Sequence, residues 1–353
     1  MHKELSYNLH NILNFKIVTS SRLKILNDLN FMFSYFESEK NNSDVILNIG
    51  KFTPSDEHST LVDHKYHIKD NYFYCKDKEG KAKWEVEIFG FEDGPTHINF
   101  HSVIYGIEQL LIPDYLAQNI ILRPLLELKL FEKGYVTLHG LGIEKNGKAC
   151  VFAARGGAHK TRIAMDLLRK GGYSLLGDDR LICSQDYLFS YPLFYNLVKF
   201  KAEHMNDEHI SSLPNKIKMI AHLNSKAFNA KNSSLFTNKA RFEKIFLMAR
   251  KENFVELSYS DVDLDSLAKA IVNSNKMEFI SSGISQSLGF VPFYRYMLAY
   301  SYVFPDSKIA TYWDNLEIKI KEVLRGKIAC GITLPDAYSP ALFIDLFNLV
   351  NGA

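Results

Sequence analysis

From Lys148 to Arg180 the chain runs through an apolar-rich hexamer, a glycine-bearing turn, an amphipathic stretch, a glycine pair and a second apolar run that closes on two aspartates. KACVFA (148–153) is a short, nearly continuous apolar segment, the pattern of a buried strand. ARGGAHKT (154–161) follows, and its two glycines give the backbone the freedom that a tight turn requires. Ile163, Ala164, Leu167 and Leu168 then form one apolar stripe while Arg162, Asp166, Arg169 and Lys170 face away, which predicts an amphipathic helix. Gly171-Gly172 is suited to cap that helix, and YSLL (173–176) supplies a returning strand before Gly177, Asp178, Asp179 and Arg180. Strand, turn, helix and strand in this order make the unit of a sheet covered by helices, so the segment commits the chain to an α/β class.

The rest of the chain is read around that unit. At 353 residues there is room for one large or two ordinary domains, and 46% apolar with 23% charged residues is a globular composition. A net charge of +2, with no dense Lys/Arg block, argues against a nucleic-acid partner. Cys75, Cys150, Cys183 and Cys330 form no CxxC pair and no zinc pattern, as expected of reduced, inert thiols. The N-terminal stretch lacks the apolar core of a signal peptide. The apolar-rich run 103–131 carries Glu108, Asp114, Arg123, Glu127 and Lys129, and reads as an amphipathic helix pair kinked near Pro113 and Pro124, with no membrane span. These features together predict a soluble, cytoplasmic protein.

Before that run, Ser20–Glu37 has helical periodicity. DVILNIGKF, KYHIKDNYFYCKD, KWEVEIFGF and HINFH read as strands between polar turns. We therefore expect a small α+β recognition domain with an antiparallel sheet over 1–102, and a nucleotide-binding core over 103–353. Beyond Tyr195, EKIFLMAR and NFVELSYS read as strands, 264–277, 294–302 and 315–324 as helices, and 222–239 as a loop.

Ala154 to Thr161 aligns with the phosphate-loop pattern GxxxxGK[ST], except that Ala154 and His159 stand where glycines are expected. Backbone amides from such a turn face phosphates at a helix N-terminus. Lys160 offers a point charge to β/γ-phosphates, and Thr161 a hydroxyl that can ligate Mg2+. A side chain at 159 is compatible with this role if its backbone is right-handed and the imidazole turns outward. Taken alone, the segment reads equally well as an ordinary turn with Lys160 a solvated helix residue.

Asp178 lies 17 residues after Thr161, which a helix of about three turns, the glycine turn and a short strand use up. The carboxylates then return to the sheet edge that holds Thr161, where phosphate sites gather. One of the two aspartates can hold magnesium and the other can accept a hydroxyl proton. His139, in LHG (138–140), ends the preceding strand at the same expected edge.

Together LHG (138–140), the turn EKNGK (144–148), the loop 154–161, RKGG (169–172), GDDR (177–180) and SYP (190–192) resemble the HPr kinase/phosphorylase superfamily. The resemblance spans about residues 135–195. It implies a P-loop core of the HPr-kinase/PEP-carboxykinase-like kind, ATP and Mg2+ as cofactors, and a cytoplasmic kinase. By it, Arg155, Gly156, Gly157, Ala158, His159, Lys160, Thr161 and Arg162 would line the nucleotide. Thr161 and Asp178 would hold the metal, Asp179 would act as catalytic base, and His139 and Lys160 would assist. The acceptor would be a hydroxyl of a peptide, a protein or a small molecule, and a homo-oligomer is left open. Arg162 replaces an acidic residue of the bifunctional enzymes, and 200–353 lacks their Gly-Arg-Asn segment, which argues against HPr as substrate and against the reverse reaction. The alternative is a nucleotide-binding regulatory protein without turnover. The aromatic run 291–304 reads as core or subunit interface in preference to a substrate groove.

Overall fold

The computed structural model describes residues 3–19, 33–39, 42–79, 82–104, 116–192, 236–280 and 293–352. The strands are β1 (Lys3–Leu9), β2 (Leu13–Thr19), β3 (Glu37–Ser38), β4 (Val45–Ile49), β5 (Thr60–Val62), β6 (Tyr66–Lys69), β7 (Tyr72–Glu79), β8 (Ala82–Phe89) and β9 (Thr96–Ile104). After helix α1 (Arg123–Glu132) come β10 (Val136–Leu138), β11 (Gly140–Lys145), β12 (Lys148–Ala153), α2 (Lys160–Gly171), β13 (Ser174–Gly177), β14 (Leu181–Cys183) and β15 (Tyr187–Ser190). The chain ends with β16 (Lys239–Arg250), β17 (Ser258–Ser260), α3 (Leu264–Ile280), α4 (Phe293–Val303), α5 (Tyr312–Leu324), β18 (Ile328–Leu334) and α6 (Pro340–Gly352). The class is mixed α/β. The described residues group into two compact units, one drawn from Met1–Lys133 and Lys276–Asn315, the other from Gly134–Asn275 and Leu316–Ala353.

The first unit holds a nine-stranded sheet in the order β3-β1-β2-β4-β9-β8-β7-β6-β5. It is neither small nor purely antiparallel, because β2–β4 and β4–β9 run parallel. β1 and β2 form an N-terminal hairpin, and β2 alternates buried and half-buried side chains along its length, as a strand with one covered face must. α4 supplies much of the cover: Tyr296 packs on Phe73 at 4.8 Å and accepts a 2.9 Å hydrogen bond from the Trp84 indole, and Tyr300 meets Phe91 at 5.1 Å. Phe293, Tyr296, Met297, Ala299 and Tyr300 of the aromatic run are thus core, while Arg295, Leu298 and Tyr302 are exposed. This is why the unit takes in 276–315 and does not divide from the rest at 102.

The amphipathic helix expected up to Phe131 is corrected over its described part. A π-helical turn, Gln118–Leu122, leads without a break into α1, Pro124 follows just after that turn, and residues 116–130 are buried on all sides. The charges are folded inward as ion pairs: Arg123 reaches Glu127 at 3.8 Å and Glu278 at 3.7 Å, and Lys129 reaches Glu132 at 2.8 Å. The kink at Pro113, most of the helix over 20–37 and most of the loop over 222–239 fall outside the described residues. Among the described residues, no helix is long and apolar enough to cross a membrane.

In the second unit β11 lies between β12 and β13, antiparallel to both, so β12 and β13 point the same way. β10 and β11 are one run broken only at His139, and β13 and β14 one run broken only at 178–180; a Gly140 N–H to Asp179 carbonyl bond of 3.4 Å bridges the break. These two runs pair with each other, and the pairing continues through β15, β16 and β12 back to β11, closing a ring of five strands. β16 runs on beyond β15 to pair with β18, which carries the short β17. β17 is therefore much shorter than the strand expected over NFVELSYS. α2 and α6 cover the ring through a core of Ile163, Leu167, Phe152, Phe246, Leu342 and Leu346.

Candidate functional site

Three strand ends meet at one edge of the second unit. β12 leaves the sheet at Ala153, β11 enters it at Gly140 directly opposite Ala153, and β13 leaves at Gly177. The turn 154–161, His139 and the pair Asp178-Asp179 are attached to these ends. Close backbone approach demands the glycines: a Cβ at Gly140 would stand 2.7 Å from the Phe152 carbonyl oxygen, and one at Gly177 2.5 Å from that of Arg180.

α2 starts at Lys160, with the Ile163 amide bonded to the His159 carbonyl at 3.0 Å, and Gly172 (φ +66) closes it. Thr161, in its first turn, donates from Oγ1 to Asp178 Oδ2 at 3.1 Å. The Lys160 ammonium is held by the Ala154 carbonyl and by that of Arg155 at 3.2 Å, and lies 3.4 Å from His139 Nε2. His139 Nδ1 is 3.5 Å from Asp179 Oδ1. An ammonium facing Nε2 favours the tautomer in which Nε2 accepts and the proton sits on Nδ1, toward Asp179. His139 and Asp178 are buried, whereas the Asp179 side chain is 34% exposed. The two aspartates therefore stand in different surroundings, Asp178 beside the helix hydroxyl and Asp179 beside the histidine with access to solvent.

The other residues of the turn are arranged differently. Gly156 and Gly157 are exposed, the latter at φ +87, and Ala158 is buried in the core. Arg155 donates to the Ser274 carbonyl at 3.2 Å. The right-handed backbone expected at His159 is corrected: φ is +53, the region a glycine at this position would favour. Its imidazole does turn away from the turn, bonding the Asp336 carbonyl at 3.2 Å and lying 5.7 Å from the Tyr338 ring. Arg162 is exposed with its guanidinium 5.1 Å over Tyr338, whose hydroxyl donates to Asp166 at 2.7 Å; burial and that carboxylate hold the phenol above its ordinary range.

The sequence reading missed Asn275, Asp336 and Tyr338. Asn275 left a signal: it prolongs the buried stripe Leu267, Ala268, Ile271 and Val272 of α3, where a polar side chain must find partners. It accepts from Arg180 Nη1 at 3.2 Å and donates to the Thr137 carbonyl at 2.8 Å. No protein-family model matches the chain, and comparison with curated proteins finds no match.

Proposed function

We propose that the chain is a Mg-ATP-dependent kinase of the HPr-kinase-like P-loop kind, transferring the γ-phosphate to a hydroxyl of a peptide, a protein or a small molecule. The observation that carries this reading is the Thr161–Asp178 contact at 3.1 Å, made where the helix N-terminus, Lys160 and the His139–Asp179 pair share one edge. The donor set fits magnesium: both atoms are hard oxygens, and an octahedral site with ligands at about 2.1 Å has neighbouring oxygens roughly 3 Å apart. Bound there, Mg2+ would neutralise charge on the β- and γ-phosphates.

Lys160 adds its charge on the same side, and the positive end of the α2 dipole favours an anion at the turn. The backbone of 155–162 would line the phosphates, with the exposed Gly156 and Gly157 presenting no side chain to obstruct them and Arg162 contributing from the first helical turn. Asp179 takes the proton from the acceptor hydroxyl, its carboxylate oriented by His139. His139 in turn is fixed from its other nitrogen by Lys160, so loss of any one member disturbs the others.

ATP consumption with Mg2+ tests the reading. Lys160→Ala should lower kcat/KM by roughly 100-fold or more. Asp179→Asn should keep nucleotide binding and abolish transfer. Absence of nucleotide binding in the wild type would refute the proposal, and binding without turnover across a broad set of acceptors would favour a regulatory nucleotide binder.

A further inference from the structure

Three separate segments of the site are tied to two consecutive residues of α3. Arg155, in the turn 154–161, donates to the Ser274 carbonyl at 3.2 Å. Arg180, directly after the aspartate pair, donates to Asn275 Oδ1 at 3.2 Å. Thr137, two residues before His139, accepts from Asn275 Nδ2 at 2.8 Å. Arg180 and Asn275 are each 1% exposed, so the two bonds of Asn275 are sheltered from water and persist where surface contacts would exchange.

Asn is suited to the post because one planar group both accepts and donates in fixed directions. The acceptor end holds the turn that carries Asp179, and the donor end holds the strand that carries His139. The relative placement of those two side chains is therefore set by a residue that touches neither. We infer that Asn275 is a positioning residue, and that Ser274–Asn275 is the common anchor holding the turn 154–161, the His139 strand and the Asp178-Asp179 turn in register. Helix α3 lies far from these segments in sequence, so the anchor closes the site only after the chain has folded back on itself. The kinetic arm of the test rests on the kinase reading; the structural arm does not.

Backbone hydrogen–deuterium exchange and steady-state ATP turnover on the full chain test this, comparing wild type with Asn275→Ala, Asn275→Asp and Arg155→Ala. In Asn275→Ala, exchange across 137–140 and 178–181 should quicken together by about tenfold, the loss expected for one buried hydrogen bond. Its kcat should fall roughly 10- to 100-fold with KM for Mg-ATP little changed, the mark of misplaced catalytic groups. Asn275→Asp keeps an acceptor for Arg180 and loses the donor to Thr137, so it should loosen 137–140 while sparing 178–181; it carries the test if the alanine variant does not fold. Arg155→Ala should loosen 154–161 and act mainly on KM. Unchanged exchange in both segments of a folded Asn275 variant, or an unchanged kcat, overturns the anchor. A wild type that binds no nucleotide overturns the kinase reading, and the exchange data still decide the anchor.

Discussion

At the scale of single residues, His159 is the departure that matters most. A non-glycine residue held at φ +53 carries a conformational penalty of about 1–2 kcal/mol, and the contacts to Asp336 and Tyr338 offset part of it. His159→Gly should therefore keep stability to within about 1 kcal/mol and retain nucleotide binding, measured by denaturant unfolding and by titration. A tenfold loss of affinity would show instead that the imidazole itself meets the ligand. The thiols give a second expectation. Burial raises Cys75, Cys150 and Cys183 above the ordinary thiol range, Cys150 to about 12, so at pH 8 all three stay protonated. Alkylation of the native protein at that pH, read by mass spectrometry, should modify the half-buried Cys330 first. The Thr161–Asp178 contact was legible in the sequence because 17 residues are what a three-turn helix and a return strand consume. The handedness at 159 was not, since backbone conformation at a turn depends on what the flanking segments demand.

At the scale of elements, strand, turn and helix were legible from Lys148 to Gly177 because the apolar pattern changes period there without ambiguity. The hairpin β1–β2 was not recognised, although LNFKIVT alternates, because its turn places His10 and Asn11 at φ +52 and +61 without the Asn-Gly signature of such turns. β18 and α6 escaped for another reason: apolar residues also stand on their exposed sides, Ile328 at 48% and Ile344 at 55% exposure, and these blur the period that the buried positions alone would show. α1 misled in the opposite sense, its charges having internal partners. The tight passage from β13 to β14 allows a direct test. Gly177→Ala drives a methyl against the Arg180 carbonyl, a backbone atom that cannot swing aside, and should cost about 1–3 kcal/mol in chemical unfolding and weaken nucleotide binding.

At the scale of the whole molecule, the expected division at 102 reflected composition, whereas compactness follows the aromatic partners of α4. A chain beginning at residue 134 would keep 276–315 but lose Phe73, Trp84 and Phe91, leaving Tyr296, Tyr300 and Phe293 uncovered. It should self-associate in gel filtration, while the full chain does not do so through that surface. Ligand linkage supplies the complementary measurement: Mg-ATP at about 100 times its Kd should stabilise the protein by about 2.7 kcal/mol, and chelation of the metal should remove most of that gain.

The closed ring of strands bears on the order in which the protein can be made. β12, which leads into the turn 154–161, takes β11 as one neighbour at once, but its other neighbour is β16, which begins only at Lys239. As the chain leaves the ribosome, the segment 136–183 can pair with itself and still lack the strand that completes its sheet, an exposed state of the kind that slow, non-local pairing creates. The site is thus finished late in synthesis, after its own residues have long been available, and chains stopped between 192 and 239 should be held by chaperones and bind no nucleotide.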